Sequence, residues 1–322
     1  LMLIAALAIL AGFVLLIWSA DRFVDGAAVS AKYAGLSPLL IGMLVIGFGT
    51  SAPEMLVSAL AALDGNTNLA LGNAIGSNIV NTSLILGCTA LIAPIAVQST
   101  ILKKEIPILV GAVLVVGALF MNNALSRLDA WVILAAFFAF IFWSLKTAKM
   151  TPDSSLEADV EETANTNISL KKAIFMLVTG LVILIGSSRL LVWGAVEIAT
   201  ELQVSDLIIG LTIVALGTSL PELASSIIAA RKGQHDLALG NIIGSNIFNI
   251  LAVVGIAGAI QPIESLSLDI MHRDWPFMAV LTVAIFFMGI GLKKQGRINR
   301  VEGGILLSAY IGYTLWLVTS AL

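Results

Sequence analysis

Apolar residues form ten continuous stretches along the chain, separated by short polar or charged segments. A helix needs roughly 20 apolar residues to cross the hydrocarbon core of a bilayer, and the stretches have about that length. The pattern predicts an all-α, polytopic membrane protein with ten transmembrane helices. The predicted spans lie near residues 2–19 (continuing as an amphipathic helix to about 34), 37–63, 68–93, 106–121, 128–146, 171–199, 205–230, 236–261, 275–292 and 302–321.

The segment between the fifth and sixth spans differs from the rest, because residues 149–170 contain almost no large apolar side chain. Acidic residues lie there among Ser, Thr and Asn, which is typical of a solvated linker. Their spacing is not that of an EF-hand loop, so a plain linker is favoured over a Ca²⁺ sensor. The linker divides the chain into residues 1–148, with spans 1–5, and residues 171–322, with spans 6–10.

Composition supports a membrane location. The chain has 322 residues, of which 59% are apolar and 11% charged, whereas soluble domains have about 45–50% and 25%. A water-exposed surface cannot be built from so few charges, so a soluble enzyme is excluded and the lipid bilayer is the expected surrounding. The net charge of −3 gives no reason to expect nucleic acid binding, and no obligatory protein partner is implied.

Lys and Arg are distributed unevenly between the two sets of loops. The loops after odd-numbered spans hold most of them, whereas the loops after even-numbered spans hold only Arg127 and Arg273. Loops rich in Lys and Arg stay on the cytoplasmic side of a membrane. We therefore expect the linker in the cytoplasm and both termini outside.

The two halves of the chain are similar in sequence. Residues 49–87 align without gaps to residues 217–255 at an offset of 168, and 21 of the 39 aligned pairs are identical. GTSAPE, starting at Gly49, matches GTSLPE, starting at Gly217, and GNAIGSNIVN matches GNIIGSNIFN. Each half has five spans, an odd number, so the second half enters the membrane from the opposite side. The sequence therefore predicts two inverted five-helix repeats, an architecture that can open one central site to each side in turn.

The paired motifs place one acidic residue near mid-membrane in each half. Glu54 and Glu222 lie about midway along spans 2 and 7, where a charge is costly unless it meets a partner or a wet cavity. No Lys or Arg lies at that depth in spans 2, 3, 7 or 8. We expect the two carboxylates to face each other across the pseudo-two-fold axis and to bind an external cation.

A proline precedes each of these glutamates and is expected to interrupt the helix. Pro53 and Pro221 have no N–H, which frees the carbonyls four residues earlier, at Gly49 and Gly217. A membrane tolerates such a break where it lines a cavity. Neighbouring hydroxyls add further candidate ligands, and these are Thr50, Ser51, Thr218 and Ser219.

Spans 3 and 8 carry a matched row of Ser and Asn residues. A Ser and an Asn four residues apart share one helical face, and the pairs are Ser77 with Asn81 and Ser245 with Asn249. Asn73 and Asn241 extend these faces by one turn, and we interpret the set as ion ligands. Carboxylate, carbonyl, hydroxyl and amide oxygens suit Ca²⁺ and Na⁺ better than Mg²⁺ or softer metals. No cofactor is expected, and Ca²⁺ and Na⁺ are the expected substrates.

These repeats resemble those of the sodium/calcium exchanger family within the calcium/cation antiporters. The resemblance covers the whole chain in topology and is most specific in the four central spans. It implies a ten-span protein of a bacterial inner membrane that exchanges Na⁺ for Ca²⁺ by alternating access, with spans 1 and 6 sliding past the core. It implies that Glu54 and Glu222 bind Ca²⁺, helped by Thr50 and Thr218. It also implies Na⁺ sites shared among Ser51, Ser219, Ser77, Ser245, Asn81, Asn249 and the Ala215 carbonyl.

The chain departs from part of this family at one pair of positions. Some relatives have Asp at the position of Asn249 or of its mate Asn81, where it accompanies K⁺ co-transport or holds a proton. Asn in both halves leaves two glutamates as the only site carboxylates, which disfavours K⁺ dependence. K⁺-dependent Na⁺/Ca²⁺ exchange and H⁺/Ca²⁺ exchange are the alternatives, although proton/calcium exchangers typically have an acid after the Gly-Asn pair, where this chain has apolar residues.

Two other classes of protein are less compatible with the pattern. A cation channel would use the same oxygens, but broken helices in inverted halves favour a transporter. An enzyme is not indicated, because the sequence contains no HExxH or GxSxG motif.

Overall fold

A computed structural model describes residues 2–98, 101–148, 168–203, 215–290 and 296–321. It is almost entirely helical, as expected where backbone polar groups must be satisfied inside a bilayer. The helices are α1 (Met2–Ala34), α2 (Pro38–Thr50), α3 (Ala52–Leu63), α4 (Thr67–Ile92), α5 (Lys103–Asn122), α6 (Arg127–Ala148), α7 (Leu170–Glu201), α8 (Ala215–Thr218), α9 (Leu220–Arg231), α10 (His235–Ile260), α11 (Ile270–Gly289) and α12 (Arg300–Ala321). The strands are β1 (Ile95–Val97) and β2 (Gly296–Ile298).

The number of spans agrees with the predicted topology. Within the described ranges, eight helices are each long and apolar enough to cross a membrane, and α2 with α3 form a further span bent by 45°. The remaining predicted span, 205–230, is described from residue 215 onward as α8 and α9. Residues 149–167 of the predicted linker lie outside the described residues.

Contacts between loops follow the same topology. Loops after odd-numbered spans meet on one face, where β1 pairs antiparallel with β2 and the Gln98 side chain donates a hydrogen bond to Asp236 (2.6 Å). Loops after even-numbered spans meet on the other face, where the backbones of Leu125 and Ile263 pair. The chain therefore alternates between two faces, as ten crossings require.

Two local features were not predicted from the sequence. The strands β1 and β2 are too short for a periodic signal, although their alternate residues are buried. Helix α11 begins at Ile270, five residues before the predicted start at 275, because the charges of its first turn are paired. Arg273 forms a salt bridge with Asp274 (2.6 Å), and the hydroxyl of Tyr313 from α12 donates a hydrogen bond to the same carboxylate (2.8 Å).

The longest helices, α1 and α7, pack against each other with the symmetry of the repeats. Gly12 of α1 lies against Leu191 of α7, and its repeat mate Gly180 lies against Phe23, the mate of Leu191. The contact thus repeats at the offset of 168 found in the motifs. This geometry extends the repeat from the central spans to the first span of each half.

Helices α4 and α10 form the centre of the bundle. In the membrane-spanning part of α10, 89% of the residues are buried inside the protein, against 28% for α1 and α7. Close approach to α10 depends on small residues, as is common between membrane helices. A Cβ on Gly244 would lie 2.6 Å from the Met43 backbone of α2, so no larger residue fits there without a backbone shift.

We expect Gly244→Ala to lower the free energy of unfolding by about 1–3 kcal/mol, the usual effect of overpacking a tight contact. Thermal unfolding in detergent measures the change. Gly111→Ala is the matched control, because a Cβ at this helical glycine of α5 meets nothing within 4 Å. Equal melting temperatures for the two variants would contradict the packing described.

Candidate cation site

The two halves break their central spans in the same way. In the first half, α2 ends at Thr50, and α3 resumes at Ala52 with Pro53 in its first turn. In the second half, Ser219 separates α8 from α9, which has Pro221 in its first turn. Proline fits there because the first N–H groups of a helix have no intrahelical partner. Each half-helix therefore begins directly before its glutamate.

Glu54 and Glu222 lie in the first turns of α3 and α9 and are each 1% exposed. Ser51 lies three residues before Glu54 and links the two half-helices. The hydroxyl of Ser51, from the first repeat, donates to Glu222 Oε1 (3.4 Å). The helix dipole at each N-terminus favours the negative charge, so both glutamates are positioned to serve as anionic ligands.

Several buried oxygens of the predicted site residues have no hydrogen-bond partner among the described residues. They are both carboxylate oxygens of Glu54, Oε2 of Glu222, Oγ of Ser219, Oδ1 of Asn81 and Oδ1 of Asn249. A buried polar atom without a partner costs free energy. Carboxylate, hydroxyl and amide oxygens are the ligands that suit a hard cation.

Asn81 and Asn249 owe their placement to a local change in helix geometry. Each lies in a π-helical turn, at Val80–Ile85 in α4 and at Phe248–Val253 in α10, and the two turns correspond at the repeat offset. Such turns widen a helix by one residue and are frequent at functional sites. A simple four-residue periodicity in the sequence does not predict them.

The remaining predicted ligands lie around the same break. Thr50 is buried and donates to the Ile46 carbonyl (3.0 Å), while Thr218 is half-buried. Ser245 donates to the carbonyl of Gly47 (3.4 Å), the repeat mate of Ala215, which begins α8. Ser77 is buried on α4. All eleven predicted site residues thus come from the two broken spans and the two central helices that flank them.

The carbonyl of Gly217 is used differently from the prediction. It accepts a hydrogen bond from Ser188 of α7 (2.7 Å), so the oxygen freed by Pro221 is linked to a neighbouring helix. The repeat mate of Ser188 is Ala20, which has no hydroxyl. The repeat alignment therefore carried no signal for this contact.

Asn73 and Asn241 hold the half-helices in place through their amide nitrogens, a role that the sequence did not predict. The Asn73 amide donates to the Glu54 carbonyl (3.1 Å) and to Ser58 (2.9 Å). The Asn241 amide donates to the Glu222 carbonyl (3.3 Å) and to two serines of α9, Ser225 (3.0 Å) and Ser226 (2.8 Å). Each asparagine thus fixes the backbone that carries one glutamate.

A second asparagine pair joins α4 to α10 across the pseudo-two-fold axis. The Asn78 amide donates to the Asn246 carbonyl (3.1 Å), and the Asn246 amide donates to the Thr82 hydroxyl (2.9 Å). Asn78 and Asn246 lie two residues before the π-helical turns and Thr82 lies within the first of them, so these bonds hold the two ligand-bearing helices together.

We expect Asn241→Ala to weaken Ca²⁺ binding more than Asn73→Ala does. Asn241 also accepts a hydrogen bond from Thr50 (3.2 Å), so its loss disturbs both repeats. At about 1 kcal/mol per hydrogen bond, the loss in apparent Ca²⁺ affinity should be about tenfold or more. Ca²⁺ titration of the purified variants measures it, and equal affinities would contradict this role.

A buried pair of carboxylates among neutral oxygens, at two inverted breaks in membrane-spanning helices, is typical of a membrane protein that binds and transports cations. The profile described as sodium/calcium exchanger protein matches residues 4–146 and 172–319 of the chain. The chain belongs to the sodium/calcium exchanger family. It is therefore a multi-pass membrane antiporter of Ca²⁺ and other cations, and not an enzyme.

Comparisons with individual proteins agree with this assignment. The chain is 47% identical over 321 residues to the putative antiporter CaxA of Alkalimonas amylolytica, covering 99% of this chain and 100% of that protein. It is 36% identical over 322 residues to the inner membrane protein YrbG of Escherichia coli (strain K12), covering 98% and 96%. A structure of the sodium-calcium exchanger NCX_Mj soaked with Na⁺ and Sr²⁺ matches with a TM-score of 0.83 at 30% identity, covering 97% of each chain. The predicted family and fold class are confirmed.

Proposed function

We propose that the protein exchanges Na⁺ for Ca²⁺ by alternating access, with both ions bound between the two repeats. The observation that carries the proposal is the pairing of Glu54 with Glu222 among neutral oxygen donors. In the described part of the chain no three acidic, His or Cys side chains gather to hold a metal. Two negative charges match one Ca²⁺, or Na⁺ ions that replace it at the same oxygens.

We assign Ca²⁺ to the space between Glu54 and Glu222, with Thr50 and Thr218 as neutral ligands. Na⁺ ions then use the surrounding oxygens of Ser51, Ser219, Ser77, Ser245, Asn81, Asn249 and the Ala215 carbonyl. The unpartnered oxygens of Ser219, Asn81 and Asn249 support this division. Competition between the two kinds of ion for shared carboxylates is the physical basis of exchange.

Na⁺ is favoured over K⁺ or H⁺ as the driving ion because the predicted ligands, all within the described residues, include no third acid. A K⁺ ion bound together with Ca²⁺ requires an additional negative charge, and Asn81 and Asn249 supply only neutral oxygens. A proton-coupled cycle would need an acid that binds and releases a proton beside bound Ca²⁺.

We further propose that residues 1–148 and 171–322 are the two inverted repeats, joined by a cytoplasmic linker at 149–170, with both termini outside the cell. The unequal distribution of Lys and Arg between loops supports this orientation. We also place the protein in a bacterial inner membrane, which the similarity to a bacterial protein named an inner membrane protein supports.

The test is ⁴⁵Ca²⁺ uptake into proteoliposomes loaded with Na⁺, K⁺ or choline, at several values of pH. Na⁺-loaded vesicles should take up Ca²⁺ faster than the others, and external K⁺ should make no difference. Uptake driven by a pH gradient alone, or uptake that requires K⁺ on the Ca²⁺ side, would contradict Na⁺/Ca²⁺ exchange. Uptake that persists without any counter-ion and does not saturate would indicate a channel.

A further inference from the structure

The two halves of the protein are in different arrangements on the two sides of the cation site. Helix α1 packs along α9, and Lys232, which follows α9, bonds Asp21 (2.7 Å) and Asp25 (2.6 Å) of α1. The corresponding helices of the other half are α7 and α3, which have no comparable packing in the described structure. A cavity of about 250 Å³ lies there instead, bounded by α7, α3 and the break between α8 and α9.

The residues at these two places are related by the repeat offset of 168. Asp21 corresponds to Arg189 and Lys232 corresponds to Asp64, so both members of the Asp21–Lys232 pair have mates of opposite charge, whereas Asp25 corresponds to the neutral Trp193. The glycine contacts between α1 and α7 fix this register in three dimensions, because Gly12 meets Leu191 and Gly180 meets Phe23. The correspondence is therefore structural as well as sequential.

Arg189 and Asp64 are placed for a contact that they do not make in this arrangement. Arg189 lines the cavity beside Trp193 and Val57, and Asp64 is exposed at the end of α3. Neither forms an ion pair within the described part of the chain. A positive charge in a cavity that reaches Thr218 opposes cation entry, so an ion-conducting role does not explain Arg189.

We propose that Arg189 binds Asp64 when α7 closes on α3, and that this pair alternates with the pairing of Lys232 with Asp21 and Asp25. In inverted repeats, the opposite-facing state is reached when each half adopts the arrangement now seen in the other. In that state Arg189 and Asp64 would occupy positions equivalent to those that Asp21 and Lys232 occupy here, close enough to form an ion pair. The inference rests on the alternating access proposed above and adds the contacts that hold each end state.

We call each of these alternating ion pairs a latch. The function of the two latches is to balance the two opposite-facing states of the transporter. A partly exposed ion pair contributes modestly, so each latch changes the ratio of states by about two- to fivefold. A matched latch on the opposite side keeps both states populated. Without the second latch, Lys232 would favour one state and slow the cycle.

The test uses a single cysteine, Val57→Cys, as a reporter in a Cys88→Ala background, since Cys88 is the only native cysteine. The rate of maleimide labelling in detergent measures how often the cavity between α7 and α3 is open. Lys232→Gln should slow labelling about two- to fivefold. Adding Arg189→Gln or Asp64→Asn to Lys232→Gln should restore the original rate, whereas the exchange of charges, Arg189→Asp with Asp64→Arg, should keep labelling slow. Arg127→Gln, an exposed charge elsewhere, is the control and should not restore it.

The outcomes separate this inference from the exchange proposal. If Lys232→Gln slows labelling but neither Arg189→Gln nor Asp64→Asn reverses it, the second latch is wrong and alternating access stands. If only Arg189→Gln reverses it, Arg189 contacts another anion, such as a lipid phosphate, and the pairing with Asp64 is overturned. If labelling responds neither to Na⁺ and Ca²⁺ nor to any variant, the cavity does not open and close, and both inferences fail.

Discussion

Glu54→Gln and Glu222→Gln are each expected to abolish nearly all Ca²⁺ transport while leaving a folded, membrane-inserted protein. Both carboxylates are buried, and most of their oxygens have no partner in the described structure, so the charge serves ligand binding rather than packing. A hydrogen bond or ligand contact to a charged group contributes about 1.5–3 kcal/mol, which corresponds to a loss of tenfold or more in Ca²⁺ affinity. Initial rates of ⁴⁵Ca²⁺ uptake measure the effect.

The same variants give a second, independent readout. Removing one of two neighbouring negative charges relieves their repulsion, so thermal stability without Ca²⁺ should hold or rise. Glu264→Gln is the matched control, because Glu264 is exposed in the loop before α11 and should leave both transport and stability unchanged. Wild-type uptake in both site variants would refute the assignment of these glutamates.

Asn249→Asp is expected to change which ions drive the exchange. Both side-chain polar atoms of Asn249 are buried and without a hydrogen-bond partner among the described residues, so an acid there adds a third negative charge directly to the site. The new carboxylate either binds K⁺ beside Ca²⁺ or is protonated, since a buried acid resists ionisation. Na⁺-driven Ca²⁺ uptake should therefore become sensitive to K⁺ or to pH.

The control for this change is Asn68→Asp, which introduces the same charge at an exposed position of α4. It should leave the ion dependence unchanged. A wild-type protein that already requires K⁺, or an Asn249→Asp variant with unaltered ion and pH dependence, would show that the residue at position 249 does not select the coupled ion.

The duplicated motifs explain why the fold and the candidate site were accessible from sequence. Two copies of GTS-x-PE place Pro and Glu side by side in two apolar spans, and neither residue is favourable there without a structural reason. The odd number of spans in each half then determines the inverted relation. The breaks at Ser51 and Ser219 lie where the prolines predicted them.

Other features depend on contacts that the sequence does not encode locally. Asn73 and Asn241 lie on the same helical faces as the predicted Ser and Asn ligands, but their amide nitrogens donate to the backbone of the neighbouring half-helix. Ser188 reaches Gly217 from a different span, and no motif connects them. Side-chain direction in such cases depends on how the helices cross.

The difference between the two sides of the site also could not be predicted. The repeats are nearly equivalent in sequence around the breaks, yet α1 packs along α9 while a cavity lies between α7 and α3. In the alternating-access cycle proposed above, this asymmetry belongs to one conformation, and the opposite conformation is compatible with the same sequence. The charges at the mates of Asp21 and Lys232 are reversed between the two sides.

Equilibrium ⁴⁵Ca²⁺ binding to the purified protein, titrated with Na⁺ and separately with K⁺, tests the central claim most directly. The claim is that Na⁺ and Ca²⁺ compete for the carboxylates of Glu54 and Glu222. The wild type should bind Ca²⁺, Na⁺ should displace it while K⁺ at equal concentration does not, and the double variant Glu54→Gln/Glu222→Gln should bind none. Ca²⁺ binding that is indifferent to Na⁺, or that survives in the double variant, would contradict it.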